Sequence, residues 1–268
     1  MQTILQLSLP AQRNGESTIK NPPKLVAHRG YTRHYPENTL EGITAALEAG
    51  AQYIEFDVHL NAEEIPIVIH DMQLFRTTGT LGLVSETALD ELLKLEANEP
   101  NRFQQSRLPN IRIPTLERLV SLFEAWPDAM PLVELKRASL KQFGRRLMVQ
   151  RVLEVLQPII DRAIIISFDA ESLDVARQQG AKEIGWVIET WNQASYLVAR
   201  NLVPNYLICN HTKLPAPPQP LWQGPWQWVV YDTADVELAL QLAERNVALV
   251  ETMAIGEMLA DPRLKPPR

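Results

Sequence analysis

From Lys24 onward, short apolar runs alternate with stretches of helical spacing, and this alternation constrains the fold more than any other feature of the chain. Strand candidates fall at 24–30, 52–60, 65–71, 130–136, 163–168, 183–189, 206–210, 228–232 and 247–252. Helical patterns at 38–49, 115–125, 140–156, 170–179, 192–199, 233–245 and 254–260 lie between most of them. A strand that is followed by a helix before the next strand must pair in parallel, because the crossover uses a helix's length of chain.

Taking 52–71 as one bent strand gives eight strand–helix units, the number that closes a TIM (β/α)8 barrel. The chain's 268 residues suit one such domain spanning 1–268, with 1–23 as an N-terminal extension. A doubly wound open sheet is the runner-up, but no G-x-G-x-x-G follows the first strand. Residues 72–110 interrupt the rhythm after the second strand and are expected to form a small insertion rather than a loose loop. "LPAPPQP" at 214–220 breaks it again, so the sixth helix is expected to be short or missing.

A formal charge of −6 argues against a nucleic-acid partner, which would need a broad basic surface. The only cysteine, Cys209, excludes an internal disulfide. No apolar run is long enough to span a bilayer, and residues 1–20 lack the basic start and apolar stretch of a leader. These features point to a cytoplasmic protein without stable membrane insertion, and they leave its oligomeric state open.

"YIEFDVHL" at 53–60 alternates Ile54, Phe56, Val58 and Leu60 with Glu55, Asp57 and His59. On an antiparallel strand the acids would simply face water. In a barrel, helices cover the outer face, so the acids point into the mouth. Glu134 and Lys136 end "MPLVELK", two residues apart and so on one face. Carboxylates buried together are costly unless neutralised, and Glu55, Asp57 and Glu134 offer the oxygen ligands that a hard divalent cation prefers.

His28 and His70 end apolar strands, each directly before a charged residue, Arg29 or Asp71, and strand ends form the active rim of a parallel barrel. Asn38 reads as a helix N-cap, "RTTG" at 76–79 as a turn, and His34 as a loop residue. Trp222, Trp226 and Trp228 read either as packing anchors or as walls of a pocket. His211 follows the sixth strand within reach of the rim. His59 shares the acidic face, open to a substrate-side or a surface role.

"VAHRG", "PENTLEGITAALEAGAQYIEFDVHL", "PIVIHD", "FRTTG", "IPTLERL" and "LVELK", in this order, resemble the glycerophosphodiester phosphodiesterase family. The resemblance is dense over 24–136 and rests on rhythm beyond. It implies a TIM barrel, metal ligands at Glu55, Asp57 and Glu134, catalytic His28 and His70, and phosphate-binding Arg29 and Lys136. The implied cofactor is a divalent ion, Mg or Ca. The implied reaction is hydrolysis of a small-molecule glycerophosphodiester to sn-glycerol 3-phosphate and an alcohol. There the nucleophile is the substrate's own glycerol hydroxyl, passing through a cyclic phosphate.

Neighbouring readings are a lysophospholipase D acting on lipid diesters and a non-catalytic barrel that binds a phosphorylated ligand. The latter predicts a missing acid or histidine, and none is missing. The chain departs from the family at Asn61 and Glu63, and more strongly at "VVYDT" and "ALVETM" in the late strands. Tyr231 and Glu251, from those segments, and His59 are therefore the candidates for a substrate pocket.

Overall fold

The computed structural model describes residues 22–103 and 110–265. Most of the N-terminal extension and six residues of the insertion expected at 72–110 lie outside those residues. Strands β1 (Lys24–His28) and β2 (Tyr53–Leu60) pair in parallel, while β3 (Pro66–Val68) runs antiparallel to the end of β2. The barrel continues through β4 (Met130–Leu135), β5 (Ile164–Ser167), β6 (Glu183–Ile188), β7 (Tyr206–Asn210), β8 (Gln227–Tyr231) and β9 (Val247–Thr252). Each pairs in parallel with its neighbour, and β9 closes on β1, giving the eight-stranded TIM barrel that the rhythm predicts.

The segment expected as one bent strand is instead a hairpin that leaves β3 off the barrel wall. Asn61 makes the reversal: its Oδ1 accepts the N–H groups of Glu63 at 3.0 Å and Ile65 at 2.8 Å, folding the chain back on itself.

The helices are α1 (Leu40–Glu48), α2 (Phe75–Thr78), α3 (Leu89–Leu92), α4 (Leu116–Glu124), α5 (Arg137–Phe143), α6 (Arg145–Leu156), α7 (Ala170–Gln178), α8 (Gln193–Leu202), α9 (Val236–Glu244) and α10 (Ile255–Ala260). Asp169, Asn192 and Asp235 cap α7, α8 and α9 by accepting N–H bonds in the first turn. The single helix expected at 140–156 is two, broken at Gly144, whose φ of +84° leaves the helical region and suits a residue without Cβ. Between β7 and β8 there is only a 3-10 turn at His211–Lys213 and the proline-rich stretch, as the break at 214–220 implies.

Strand alternation sets what lies inside. On β2, Ile54, Phe56, Val58 and Leu60 are fully buried in the layer between barrel and helices, where the Phe56 and Phe123 rings stack at 5.9 Å. The opposite face supplies the barrel interior, a smaller cluster including Val26, Leu132, Ile164, Ile166, Ile208 and Leu249. The insertion has a third cluster of its own, Leu74, Val84, Leu92, Ala97 and Ile111 packed with Ile67 and Ile69 from the end of the hairpin, so its described residues form folded structure. Trp226 and Trp228 belong to the outer layer, with Trp222 packed against it and Trp191 stacked on Trp222 at 4.0 Å. The tryptophans are packing anchors.

Candidate active site

Register brings the predicted groups together. In parallel pairing His28 lies opposite Glu55, and Asp57 lies opposite Glu134, so the mid-strand acids of β2 come level with the carboxyl ends of β1 and β4. The chain after β1 turns sharply: Arg29 has φ +55° and Gly30 +89°, and a Cβ at Gly30 would lie 2.8 Å from the Gly42 backbone. Only glycine permits that approach, which drops Arg29 back over the barrel mouth. There a cavity of about 430 Å³ is lined by the charged and polar groups His28, Arg29, Glu55, His70, Glu134 and Lys136. The lining also includes the apolar Ile166, Phe168, Val187 and Ile208, together with Tyr231, Asp232, Glu251 and Met253. A larger hollow, about 710 Å³, opens at the opposite end of the barrel, but among its lining residues only Lys24 is charged. The chemistry lies at the mouth.

Glu55, Asp57 and Glu134 are all buried, and each offers an oxygen within 4.8 Å of the others. Lys136 Nζ stands between two of them, 3.0 Å from Asp57 Oδ1 and 2.9 Å from Glu134 Oε1. Arg29 Nε lies 3.0 Å from Asp57 Oδ2, and its Nη1 donates to Glu37 at 3.1 Å. Burial pushes the Asp57 carboxyl up, but Lys136 and Arg29 outweigh it and hold Asp57 well below the usual range. Glu55 goes the other way, raised by burial and by the neighbouring Asp57 and Glu251. Burial raises Glu134 to about 7 against the pull of Lys136. Three crowded acids whose affinities for protons diverge are a site short of positive charge, and their all-oxygen donor set fits a hard divalent cation.

His28 Nε2 lies 3.3 Å from Glu251 Oε1 and 3.9 Å from Glu55 Oε2. Burial, reinforced by Arg29, lowers its pKa to about 3, so the ring is neutral at pH 7. His70 Nδ1 is 2.6 Å from Asp71 Oδ1, with the imidazole about one-third exposed towards the cavity. Its pKa is also lowered, first by burial. Glu251, buried beside His28, is raised to about 8 by burial. Tyr231 lines the cavity with its hydroxyl pKa raised, again by burial.

Several supporting residues escape a reading of the sequence alone. Asn38 is not the cap of α1; Thr39 is, its Oγ1 accepting from Gly42 N at 3.1 Å. Asn38 instead takes φ +57° and clamps Asp57, donating Nδ2–H to Oδ2 at 2.8 Å and accepting the Asp57 N–H at 3.1 Å. The "RTTG" turn contains α2, whose Arg76 donates to both Asp71 and Glu37 and so ties the partner of His70 to the partner of Arg29. The signal was the presence of "PENT" and "FRTTG" among the ordered motifs, which a cap and a turn do not need.

Of the two roles open to His59, burial rules out the surface one. His59 is 1% exposed, with Nδ1 2.8 Å from Ser139 Oγ and Nε2 3.1 Å from the His70 carbonyl, and burial lowers its pKa to about 4. His34 pairs with Glu257 away from the cavity, and His211 is absent from its lining.

The sequence matches the Glycerophosphoryl diester phosphodiesterase family over residues 28–210. A glycerophosphodiester phosphodiesterase from Caldanaerobacter subterraneus subsp. tengcongensis is 32% identical over 190 residues, 68% of this chain and 75% of that one. The chain belongs to the glycerophosphoryl diester phosphodiesterase family. Against a glycerophosphodiester phosphodiesterase from Bacillus altitudinis it is 35% identical over 150 residues, 56% of this chain and 60% of that one. The chain thus spans three fifths of the length of this relative and of an uncharacterised Bacillus subtilis protein that is 36% identical over 152 residues. The fold is shared with an Oleispira antarctica phosphodiesterase solved in complex with the product sn-glycerol-3-phosphate, with a TM-score of 0.75 and 23% identity over 88% of this chain and 95% of that one. The span matched to the glycerophosphoryl diester phosphodiesterase family carries His28, Arg29, Glu55, Asp57, His70, Glu134 and Lys136, whereas Tyr231 and Glu251 lie beyond it. Among the described residues no helix is long and apolar enough to cross a membrane.

Proposed function

We propose that this chain is a cytoplasmic, single-domain hydrolase of small glycerophosphodiesters, releasing sn-glycerol 3-phosphate and an alcohol. The observation that carries the reading is the convergence of two imidazoles, three buried acids and two cations on one cavity. Glu55, Asp57 and Glu134 would hold a divalent ion, Mg or Ca. When bound, the ion supplies Lewis-acid polarisation of a phosphoryl oxygen.

Arg29 and Lys136 counter the charge of the diester and of its transition state, which a fixed site does without reorganising solvent. One histidine takes the proton of the substrate's own glycerol hydroxyl as that oxygen bonds to phosphorus. The other gives a proton to the departing alcohol as its P–O bond breaks. Water then opens the cyclic phosphate with the two proton transfers reversed. A neutral ring suits the base that takes up the first proton, and the partner acid must begin as the imidazolium, a form that an adjacent carboxylate such as Asp71 at His70 Nδ1 favours. Tyr231 and Glu251 would face the alcohol.

A second reading, a lysophospholipase D, draws on the apolar lining residues Ile166, Phe168, Val187 and Ile208 and on Met253, which is 42% exposed. One assay covers both: purified protein with glycerophosphocholine, glycerophosphoethanolamine, glycerophosphoglycerol or a lysophospholipid, with and without chelator. Glycerol 3-phosphate from the first three, lost on chelation, is expected. Alcohol release from the lysolipid alone would favour the second reading, activity that survives chelation would refute the metal role, and no turnover of any diester would overturn hydrolysis.

A further inference from the structure

We propose that His59 is a positioning residue for His70, acting on the peptide that joins His70 to Asp71. The inference rests on the reading of His70 as a proton-transfer group in diester hydrolysis. The geometry begins with the one acceptor in the cluster that has no choice of role. The His70 carbonyl can only accept, so the contact at 3.1 Å places a proton on His59 Nε2. In a neutral ring Nδ1 is then an acceptor, and Ser139 Oγ, 2.8 Å away, must donate to it. The Ser139 oxygen in turn accepts the Leu60 N–H at 3.0 Å. A single tautomer therefore satisfies every group in the chain from Leu60 N–H to His70 carbonyl, with no nitrogen of His59 left for substrate.

The carbonyl that His59 holds belongs to the peptide plane between His70 and Asp71. Rotation of that plane would swing both side chains and alter the 2.6 Å contact between His70 Nδ1 and Asp71 Oδ1. The backbone is held on either side, by Ile69 N–H donating to the Asp57 carbonyl at 3.1 Å and by the Met72 carbonyl accepting from Val84 N–H at 2.9 Å, while the His70–Asp71 peptide itself lies in the irregular segment between β3 and α2. Among the described residues no backbone N–H donates to the His70 carbonyl. Ser139, fully buried on α5 just after Lys136, anchors the other end to the barrel. His59 thus transmits the position of rigid β2 and α5 to a group on the hairpin arm. Its side chain touches no reacting atom.

Three variants test this: His59→Phe, which fills the space without a donor, His59→Gln, whose amide can still donate to the carbonyl, and Ser139→Ala. Each is assayed in the divalent-metal-loaded protein with glycerophosphoethanolamine, alongside His70→Ala and thermal unfolding. The expected result for His59→Phe is a fall in kcat of about 10- to 100-fold with KM nearly unchanged, since misplacing a reacting group by about 1 Å has that effect. His59→Gln should recover most of the loss, and Ser139→Ala should show a smaller fall in kcat. Unchanged kcat in both His59→Phe and Ser139→Ala, or equal losses in His59→Phe and His59→Gln, would overturn the proposal. If His59→Phe does not fold, a wild-type kcat in Ser139→Ala overturns it and a reduced kcat at constant KM supports it. Near-normal activity in His70→Ala would instead refute the parent reading, so the two failures are distinct.

Discussion

Asn38 spends both ends of its amide on Asp57 while holding φ +57°, a conformation in which a β-carbon is uncomfortable. Removing the side chain without disturbing the backbone requires glycine. Asn38→Gly should leave the fold intact and free the Asp57 carboxylate to rotate. Divalent-ion affinity, measured by calorimetry, should fall about 10- to 100-fold, the usual effect of losing a group that orients a ligand. His28→Ala and His70→Ala should each lower turnover by about 100- to 10,000-fold, the typical contribution of a positioned acid or base, and steady-state kinetics would show it. The histidines and acids were legible because their residue types and strand-end positions carry the signal directly. Asn38 was not: a polar residue ahead of a helix reads as a cap, and nothing in the letters shows that the chain there enters the left-handed region and leaves capping to Thr39. His59 was half legible, since alternation gave its face but not the serine that closes it off.

Elements were legible to the extent that apolar spacing is local. β7 and β9 coincide with their sequence runs, while the helix read at 140–156 hid a break, because Gly144 within good spacing looks like a tolerated glycine. The hairpin was read as a bend for a related reason: Asn61's two hydrogen bonds set the reversal, and a side chain's hydrogen bonds have no periodicity. Two elements carry separate tests. Phe56 on β2, fully buried against Phe123 of α4, fixes the outer layer; Phe56→Ala should cost about 3–5 kcal/mol in chemical denaturation, the range for emptying a buried aromatic site. α2 should act on rate more than on stability. Arg76→Ala would release Asp71 and Glu37 together, loosening both His70 and Arg29. Its kcat should fall about 10- to 100-fold, by the same misplacement argument, while the unfolding midpoint moves little.

Closing the barrel brings the first strand beside the last, and so gathers at one mouth acids that the sequence spreads from Glu55 to Glu251. Glu55, Asp57, Glu134, Asp232 and Glu251 surround only Arg29 and Lys136 as cations. The metal-free fold relieves that excess by keeping protons: Glu134 is raised to about 7 and Glu251 to about 8, from an ordinary 4.5, chiefly by burial. Above about pH 6.5 these acids keep protons that the unfolded chain has lost, so raising the pH favours unfolding; below it His28, His59 and His70, whose pKa values are lowered chiefly by burial, act in the opposite sense, because the unfolded chain's imidazoles bind protons that the folded ones do not. Asp57 contributes in the opposite sense, because its lowered pKa gives stability that is lost only when strong acid protonates it. Protein stripped with chelator should therefore show an unfolding temperature that declines between about pH 6.5 and pH 8. A divalent ion held by Glu55, Asp57 and Glu134 replaces the proton with fixed positive charge and favours the ionised acids. Saturating Mg or Ca should raise the unfolding temperature most at the alkaline end and flatten the decline. Scanning calorimetry across that range, with and without chelator, measures both effects; parallel profiles would show that the ion does not bind among these carboxylates.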